Sequence, residues 1–371
     1  MNGLYQTVRR IADLDREAMR RARDRLDRLT KPQGSLGVLE DLAERLAGIT
    51  GSPLPRLGDR AVVVMAADHG VAAEGVSAYP QEVTAQMVRN FVQGGAAICV
   101  LARQAGARVT VVDMGVREPT AAHGVVERRI RAGTGNIARG PAMTREEAVA
   151  ALETGIEIAR MEIARGATLL ATGDMGIGNT TAASAVTAAI SGQPVAAVVG
   201  RGTGIPDGRL ALKVRVVEEA LRVNRPDPGD PVDVLAKVGG LEIGGLAGLI
   251  LGAAAARVPV LVDGFIAGAA ALLAARLAPA AVPYMLASHL SEEPGHAVQL
   301  RLLGLEPLLR LRMRLGEGTG AALAMHLVEA ATRVLAEMAT FESAGVSTRL
   351  EPPAGDRTAG EGASSTPRTP S

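Results

Sequence analysis

The segment 167–181, ATLLATGDMGIGNTT, is the stretch from which the fold of this chain is best predicted. Its first six residues are mostly apolar and predict a buried strand, three glycines follow, and a helix is expected to begin near Asn179. Glycines let the backbone approach a ligand closely, and the free N–H groups at a helix start favour an anion such as phosphate. The segment therefore indicates one strand-loop-helix unit of an α/β fold with an anion site.

The same alternation recurs along the chain. β-Branched runs at 62–64 and 109–112 are each followed by an acid and then a glycine, with a helix-like stretch between them. Thr144 and Glu147 fit a capping box, which predicts a helix reaching Ala164. Further strands are expected at 194–199, 258–262 and 282–286, separated by alanine-rich helices. This order predicts an α/β fold with a mostly parallel, Rossmann-like sheet covered by helices on both faces.

Composition excludes several classes of protein. Among 371 residues, 40 Lys and Arg nearly cancel 39 Asp and Glu, and only six residues are aromatic, which disfavours nucleic-acid binding. The N-terminal segment is charged and lacks the apolar core of a signal peptide. The most apolar region, 243–275, is divided by Arg257 and Asp263 into pieces too short to span a membrane. We therefore expect a cytoplasmic protein, with a disordered tail at 350–371 that has no aliphatic residue larger than alanine beyond Leu350.

Glycine-rich loops form a set of four, at 131–136, 176–181, 200–204 and 316–320. One such loop is a weak signal, because Gly-x-Gly also makes ordinary tight turns. The chain has no P-loop motif, and the dinucleotide-like match at 316–321 lacks the second strand and acid that this motif requires. No predicted strand runs into a pair of adjacent acids, the pattern typical of enzymes that use phosphoribosyl pyrophosphate and magnesium. The loops together indicate a phosphate-containing ligand.

Glu317 lies between two glycines in the last of these loops, with Met313 and Leu315 close by in the sequence. Helix propensity does not explain a carboxylate between two glycines. Apolar neighbours raise the pKa of a carboxyl group toward the range that suits a general base. Taken alone, a solvated turn acid is the commoner case. The surrounding motifs decide between the two interpretations.

Taken together, the motifs resemble those of the nicotinate-nucleotide:dimethylbenzimidazole phosphoribosyltransferases of cobalamin assembly. The resemblance covers about residues 5–347 and rests on these segments: KPQGSLG at 31–37, ADHGV at 67–71, GVSAYPQEVT at 75–84, GIGNTT at 176–181, GRGTG at 200–204, Ser288-His289 with Gly295-His296, and LGEGTG at 315–320. It implies transfer of 5-phosphoribose from nicotinate mononucleotide to 5,6-dimethylbenzimidazole, giving α-ribazole 5′-phosphate and nicotinate. It also implies a homodimer.

The resemblance also assigns residues. It implies Glu317 as the acceptor of the base proton and Asp174 as a second catalytic acid, where the family usually has Glu. The donor-binding residues would be Met175, Gly176, Ile177, Gly178, Asn179, Thr180, Thr181, Gly202, Thr203, Gly204 and Lys213. The base-binding residues would be Ser77, Tyr79, Gln86 and Leu315. Lys213 could equally be solvated on its predicted helix, and Tyr79 could be a packing residue.

No cofactor or metal is expected, and the two histidines at 289 and 296 are interpreted as part of a hydrogen-bonded loop because their spacing matches no standard metal motif. The Asp68-His69 pair is interpreted as a loop-fixing feature at a strand end. The resemblance divides the chain into a small helical domain, 1–50 with 321–348, and an α/β phosphoribosyltransferase domain at 58–320. Two alternatives stay open, a non-catalytic binder of nucleotides or bases and a transferase for another acceptor such as adenine, another benzimidazole or a phenol.

Overall fold

The sheet forms the centre of the molecule. The structure is a computed structural model that describes residues 2–120, 123–202 and 204–348, so the predicted tail at 350–371 lies outside the described residues. The strands are β1 (Asp59–Ala67), β2 (Ala107–Gly115), β3 (Val125–Glu127), β4 (Ala167–Met175), β5 (Val260–Val262) and β6 (Met285–Ala287). All neighbouring pairs are parallel, in the order β3-β2-β1-β4-β5-β6. This confirms the predicted sheet, and the strand order reverses between β1 and β4, where open α/β sheets bind ligands.

Helices connect and cover the strands. In the described part of the chain they are α1 (Asn2–Arg9), α2 (Arg16–Leu26), α3 (Val38–Thr50), α4 (Val83–Gln93), α5 (Ala97–Gln104), α6 (Arg145–Ala164), α7 (Asn179–Ser191), α8 (Val195–Val198), α9 (Asp207–Asn224), α10 (Pro231–Val238), α11 (Leu241–Ala255), α12 (Phe265–Leu277), α13 (Pro294–Leu303), α14 (Thr319–Glu337) and α15 (Phe341–Ala344). Short 3-10 helices lie at Gly70–Glu74 and Pro279–Tyr284. The predicted capping box is present at α6, where Thr144 and Glu147 each bond the other's backbone N–H.

The two faces of the sheet are both buried, because alternate side chains of a strand point to opposite sides. Ala61, Val63 and Met65 of β1 pack in one cluster with α6, α10, α11 and α12. The intervening Val62 and Val64 pack in a second cluster with α2, α3, α5 and α14. Helices on both faces were predicted, and this arrangement confirms them.

The predicted strand at 194–199 is wrong. This segment forms α8, whose Val198 is fully buried among α7 and α13. A short apolar run is compatible with either a buried strand or a buried helix, and here packing between helices decides. The strand predicted at 282–286 begins only at Met285, because Pro279–Tyr284 is a 3-10 helix.

The two ends of the chain lie together. The guanidinium of Arg25 in α2 donates to the carbonyl oxygen of Leu335 in α14 at 2.6 Å, and the N–H of Thr30 donates to the carbonyl oxygen of Ala339 at 3.0 Å. The helices of both ends share their apolar cluster with the sheet, and the division into domains at 1–50 with 321–348 and 58–320 stays a prediction. Within the described ranges, no helix is both long enough and apolar enough to cross a membrane.

Candidate active site

A cavity of about 560 Å³ lies at the carboxyl ends of the strands. The segments that follow β4, β5 and β6 line it, together with the loop before α14 and one side of α4. The lining residues are Tyr79, Val83, Met87, Asp174, Met175, Gly176, Ile177, Asn179, Thr180, Gly202, Gly264, Phe265, Ile266, His289, Ser291, Glu293, Arg314, Leu315, Gly316 and Glu317. This is the position in which parallel α/β sheets bind their ligands.

Glu317 reaches the cavity through an unusual backbone. Gly316, Glu317 and Gly318 all have left-handed φ angles, of 83°, 61° and 94°. Glycine adopts this region without strain, which explains why glycines flank the acid. The loop packs directly on β4, since a Cβ atom at Gly173 would lie 2.4 Å from the carbonyl oxygen of Glu317. The close packing brings the Glu317 loop next to Asp174.

The Glu317 carboxyl group is 6% exposed and makes one hydrogen bond within the described residues, accepting the N–H of Ile98 at 3.2 Å. Ile98 lies in the first turn of α5, so the carboxylate faces a helix N-terminus. Burial raises the pKa of Glu317, and the charge of Asp263 adds to this effect, while the bond from Ile98 opposes it. A carboxyl group with a raised pKa can accept a proton near neutral pH.

Asp174, at the end of β4, is 4% exposed. Its Oδ2 accepts a hydrogen bond from the Asn179 side-chain amide at 2.9 Å, while its Oδ1 has no hydrogen-bond partner among the described residues. Burial, followed by the charges of Asp263, Glu242 and Glu317, raises the pKa of Asp174 well above its ordinary value. Two buried acids thus line the cavity, and the charge of Glu317 adds to the penalty for ionising Asp174.

Asp263 is a structural acid that the sequence analysis missed. It follows β5, is fully buried, and accepts the N–H groups of Gly318 at 3.2 Å and Ala321 at 2.9 Å. Asp263 therefore ties the Glu317 loop and the start of α14 to the sheet. The signal was available, because Asp263 ends an apolar strand just before a glycine, as the acids after β1 and β2 precede theirs.

Next to Asp174, the start of α7 forms another part of the cavity wall. Gly176, Ile177, Asn179 and Thr180 line it, with Met175 at the strand end. Gly178 is the N-cap residue with φ 97°, and Thr181 is fully buried; neither lines the cavity. Five of the seven donor-binding residues predicted at 175–181 are thus brought together around a helix N-terminus, an arrangement that favours an anion.

Three side chains hold the neighbouring loop at 200–204. Glu293 accepts the N–H of Gly202 at 2.8 Å, and Arg314 donates to the Gly202 carbonyl oxygen at 2.9 Å. Lys213 is buried in α9, and its Nζ donates to Thr180 Oγ1 at 2.7 Å and to the Gly200 carbonyl oxygen at 3.1 Å.

Burial lowers the pKa of Lys213 to about 8, although the charge of Glu293 opposes this shift. The solvated alternative for Lys213 is therefore wrong. Gly204 does not line the cavity, and Thr203 lies outside the described residues. Glu293 and Arg314 were not predicted, since nothing in the sequence near them indicates a contact with Gly202.

Only some of the residues predicted to bind the base line the cavity. Tyr79 and Leu315 line the cavity and are each more than half exposed. Gln86 is exposed on α4 and does not line it, nor does Ser77, whose Oγ accepts the N–H of Tyr79 at 3.2 Å. One helical turn separates Val83 from Met87, so this face of α4 meets the cavity and the Gln86 face does not. The helical period predicts that Met87 lies on the same face as Val83, so this residue could have been identified from the sequence.

The histidine loop after β6 is hydrogen-bonded. His296 Nδ1 accepts the N–H of Ser291 at 2.9 Å, and burial lowers the pKa of His296 to about 3. His289 lines the cavity, with its Nδ1 3.0 Å from Ser288 Oγ. Among the described residues, no group of three or more His, Cys, Asp or Glu side chains has the geometry of a metal site.

Comparison with known proteins identifies the class. A family model described as "Phosphoribosyltransferase" matches residues 11–346. The chain is therefore a phosphoribosyltransferase, an enzyme of the pentosyltransferase class.

The relatives narrow this to one family. Nicotinate-nucleotide–dimethylbenzimidazole phosphoribosyltransferase of Desulforudis audaxviator is 60% identical over 94% of this chain and 99% of its own length. The protein of the same name from Chloroflexus aggregans is 61% identical over 95% of this chain and 100% of its own. The crystal structure of CobT from Thermus thermophilus has a TM-score of 0.87 at 56% identity, covering 89% of this chain and 99% of that one. The chain belongs to the nicotinate-nucleotide–dimethylbenzimidazole phosphoribosyltransferase family.

Proposed function

We propose that this enzyme transfers 5-phosphoribose from nicotinate mononucleotide to 5,6-dimethylbenzimidazole, giving α-ribazole 5′-phosphate and nicotinate in the lower-ligand branch of cobalamin biosynthesis. The observation that carries the proposal is one cavity lined both by the buried acids Asp174 and Glu317 and by the first turn of α7. A phosphoribosyl donor with a cationic ring needs both features. The names of the relatives supply the two substrates.

In the reaction, the bond between C1′ and the pyridinium nitrogen breaks, and its electron pair neutralises the ring nitrogen of nicotinate. Departure therefore needs neither a general acid nor a cofactor. One ring nitrogen of dimethylbenzimidazole forms the new bond to C1′, and the other nitrogen loses its proton to Glu317. Burial and the loss of solvent around Glu317 favour this transfer, because they raise the pKa of the acid.

Asp174 is assigned to the ribose. The transition state of such a transfer resembles an oxocarbenium ion, and a carboxylate beside the ribose stabilises its positive charge. Asp174 Oδ1 is buried and has no hydrogen-bond partner among the described residues, so it is available for this contact. The donor's cationic ring would also lower the pKa of Asp174 when it binds beside it.

The 5′-phosphate is assigned to the first turn of α7 and to Gly202. The N–H groups at a helix start are donors without intrahelical partners, and the helix dipole favours a negative charge there. Lys213 supplies a buried positive charge through Thr180, whose hydroxyl it contacts at 2.7 Å. Thr203 and Gly204, which follow Gly202 in the sequence, are assigned to the 5′-phosphate by the resemblance.

Incubation of the protein with both substrates, followed by measurement of free nicotinate and of α-ribazole 5′-phosphate, tests the proposal. Release of nicotinate that depends on dimethylbenzimidazole supports it. Binding of both compounds without release would instead identify a non-catalytic binder. A competition in one tube among dimethylbenzimidazole, benzimidazole, adenine and phenol then ranks the acceptors, and preference for another acceptor would overturn the substrate assignment.

The homodimer and the cytoplasmic location are also proposals. The homodimer rests on the family resemblance, and the cytoplasmic location rests on the charged N-terminal segment and the short apolar pieces of the sequence. Light scattering coupled to size-exclusion chromatography measures the mass in solution directly. A mass equal to that of a single chain would contradict the homodimer.

A further inference from the structure

The Asp68-His69-Gly70 motif at the end of β1 is not used by the proposed reaction. His69 is fully buried, and its Nε2 lies 2.7 Å from Glu242 Oε1. Glu242 is also fully buried and lies in the first turn of α11. His69 Nδ1 and Glu242 Oε2 have no hydrogen-bond partners among the described residues. A buried pair with unsatisfied atoms contributes little net stability, so stability does not explain why it is present.

The pair lies directly beneath the glycine loop at 176–178. A Cβ atom at Gly176 would lie 3.4 Å from the His69 ring and 2.3 Å from the carbonyl oxygen of Ala67. A Cβ atom at Gly178 would lie 3.2 Å from the His69 Cβ. The loop is therefore packed against both the imidazole ring and the Cβ atom of His69.

Two further contacts join His69 to neighbouring segments. Its carbonyl oxygen accepts the Gln81 side-chain amide at 3.0 Å, in the segment that leads to α4. On the other side of the ring, a Cβ atom at Gly240 would lie 2.5 Å from His69 Cε1. The imidazole is thus enclosed between the loop and the start of α11, and only Glu242 fixes its orientation through a side-chain hydrogen bond within the described structure.

We propose that His69 and Glu242 form a positioning pair that fixes the 176–178 loop and so sets the affinity for the 5′-phosphate of the donor. The identity of the donor rests on the proposed function. Neither residue touches the substrate. Their effect is transmitted through the backbone of the loop, which must present its N–H groups in a fixed geometry to bind phosphate.

The test compares Glu242→Gln with Glu162→Gln. Both replace a fully buried, hydrogen-bonded carboxyl group, but Glu162 bonds Thr110 and Arg108 near the beginning of β2, at the opposite end of the strands from the cavity. The control therefore also removes the charge of a buried, hydrogen-bonded carboxyl group, but it does not touch the loop. We expect Glu242→Gln to raise the KM for nicotinate mononucleotide about tenfold, the equivalent of one hydrogen bond to a charged group. The KM for dimethylbenzimidazole and kcat should change much less.

Hydrogen–deuterium exchange provides a measurement that does not depend on activity. Peptides covering 174–181 should exchange faster in Glu242→Gln than in Glu162→Gln when each variant is measured at the same interval below its own thermal midpoint. His69→Gln is the second variant if Glu242→Gln does not fold. The positioning role is overturned if Glu242→Gln and Glu162→Gln have the same KM for the donor and the same exchange in these peptides. If wild-type protein transfers nothing from the donor, the proposed function fails, while the exchange measurement still decides whether the pair fixes the loop.

Discussion

Replacing Glu317 with glutamine removes proton acceptance and little else. The glutamine carbonyl oxygen can still accept the N–H of Ile98, which now bonds Glu317 Oε2 at 3.2 Å, and the side-chain volume is unchanged. The variant therefore should keep the loop and the donor site. General base catalysis contributes about 10² to 10⁴-fold, so kcat should fall by that factor, which corresponds to about 3 to 5 kcal/mol of transition-state stabilisation.

The assay is steady-state nicotinate release across pH, with donor affinity measured separately by calorimetry. Because burial raises the pKa of Glu317, the wild-type rate should fall on acidification at a higher pH than it would for an exposed glutamate. The base must be deprotonated to act, so its rate is lost as pH falls through the pKa. Glu317→Gln should lack this limb and keep its donor affinity. A variant with wild-type kcat, or with the same acidic limb, would refute the assignment of the base.

Three other substitutions separate the roles of neighbouring residues. Lys213→Met should raise the KM for the donor about tenfold. Because the pKa of Lys213 is lowered to about 8, the wild-type KM for the donor should rise above that pH as the amine loses its charge. The variant should not show this rise. Asp174→Asn should raise the Tm by about 2 °C near pH 7.5 while lowering kcat. The folded-state pKa of Asp174 is raised, so the destabilisation is absent below the unfolded-state pKa of about 4, grows as pH rises from there toward the folded-state pKa, and is fully present above it. The gain in Tm should therefore vanish near pH 4, and a gain independent of pH would contradict this origin. Gly320→Ala places a Cβ atom 2.0 Å from His289 Nδ1, so either His289 or the Glu317 loop must move. The value of kcat/KM should then fall about 10²-fold. An unchanged kcat/KM would show that the loop tolerates displacement.

Local signals predicted most of the fold. The capping box at Thr144 and the strand predicted to begin at Ala167 depend on residues close in sequence, and the structure contains both, the strand as Ala167–Met175. The conformation of segment 194–199 depends instead on residues distant in sequence, because α7 and α13 bury Val198 as part of a helix. Sequence patterns report the preference of a segment, whereas tertiary packing selects between a buried helix and a buried strand.

The site was predictable where a loop carries its own chemistry, and not where distant side chains complete it. The glycines at 176 and 316 were found from their spacing. Contacts between distant segments, such as Glu293 with Gly202 and Asp263 with Gly318, join residues 91 and 55 positions apart. No pattern in one sequence shows such pairs. Gln86 lies on a face of α4 that does not line the cavity, and its assignment to the base stays a prediction of the resemblance.

The charges of the cavity explain why one site can complete the whole transfer. Asp174 and Glu317 line the cavity, Asp263 holds the Glu317 loop, and Lys213 lies behind the first turn of α7. Nicotinate mononucleotide carries a positive ring and a negative phosphate, so it matches the acids and the helix start. In the proposed reaction the ring loses its positive charge when nicotinate leaves, and a proton from the incoming base reaches Glu317 in its place. The net charge beside the acids thus stays the same, and burial, by raising the pKa of Glu317, stabilises the protonated carboxyl group that the reaction produces.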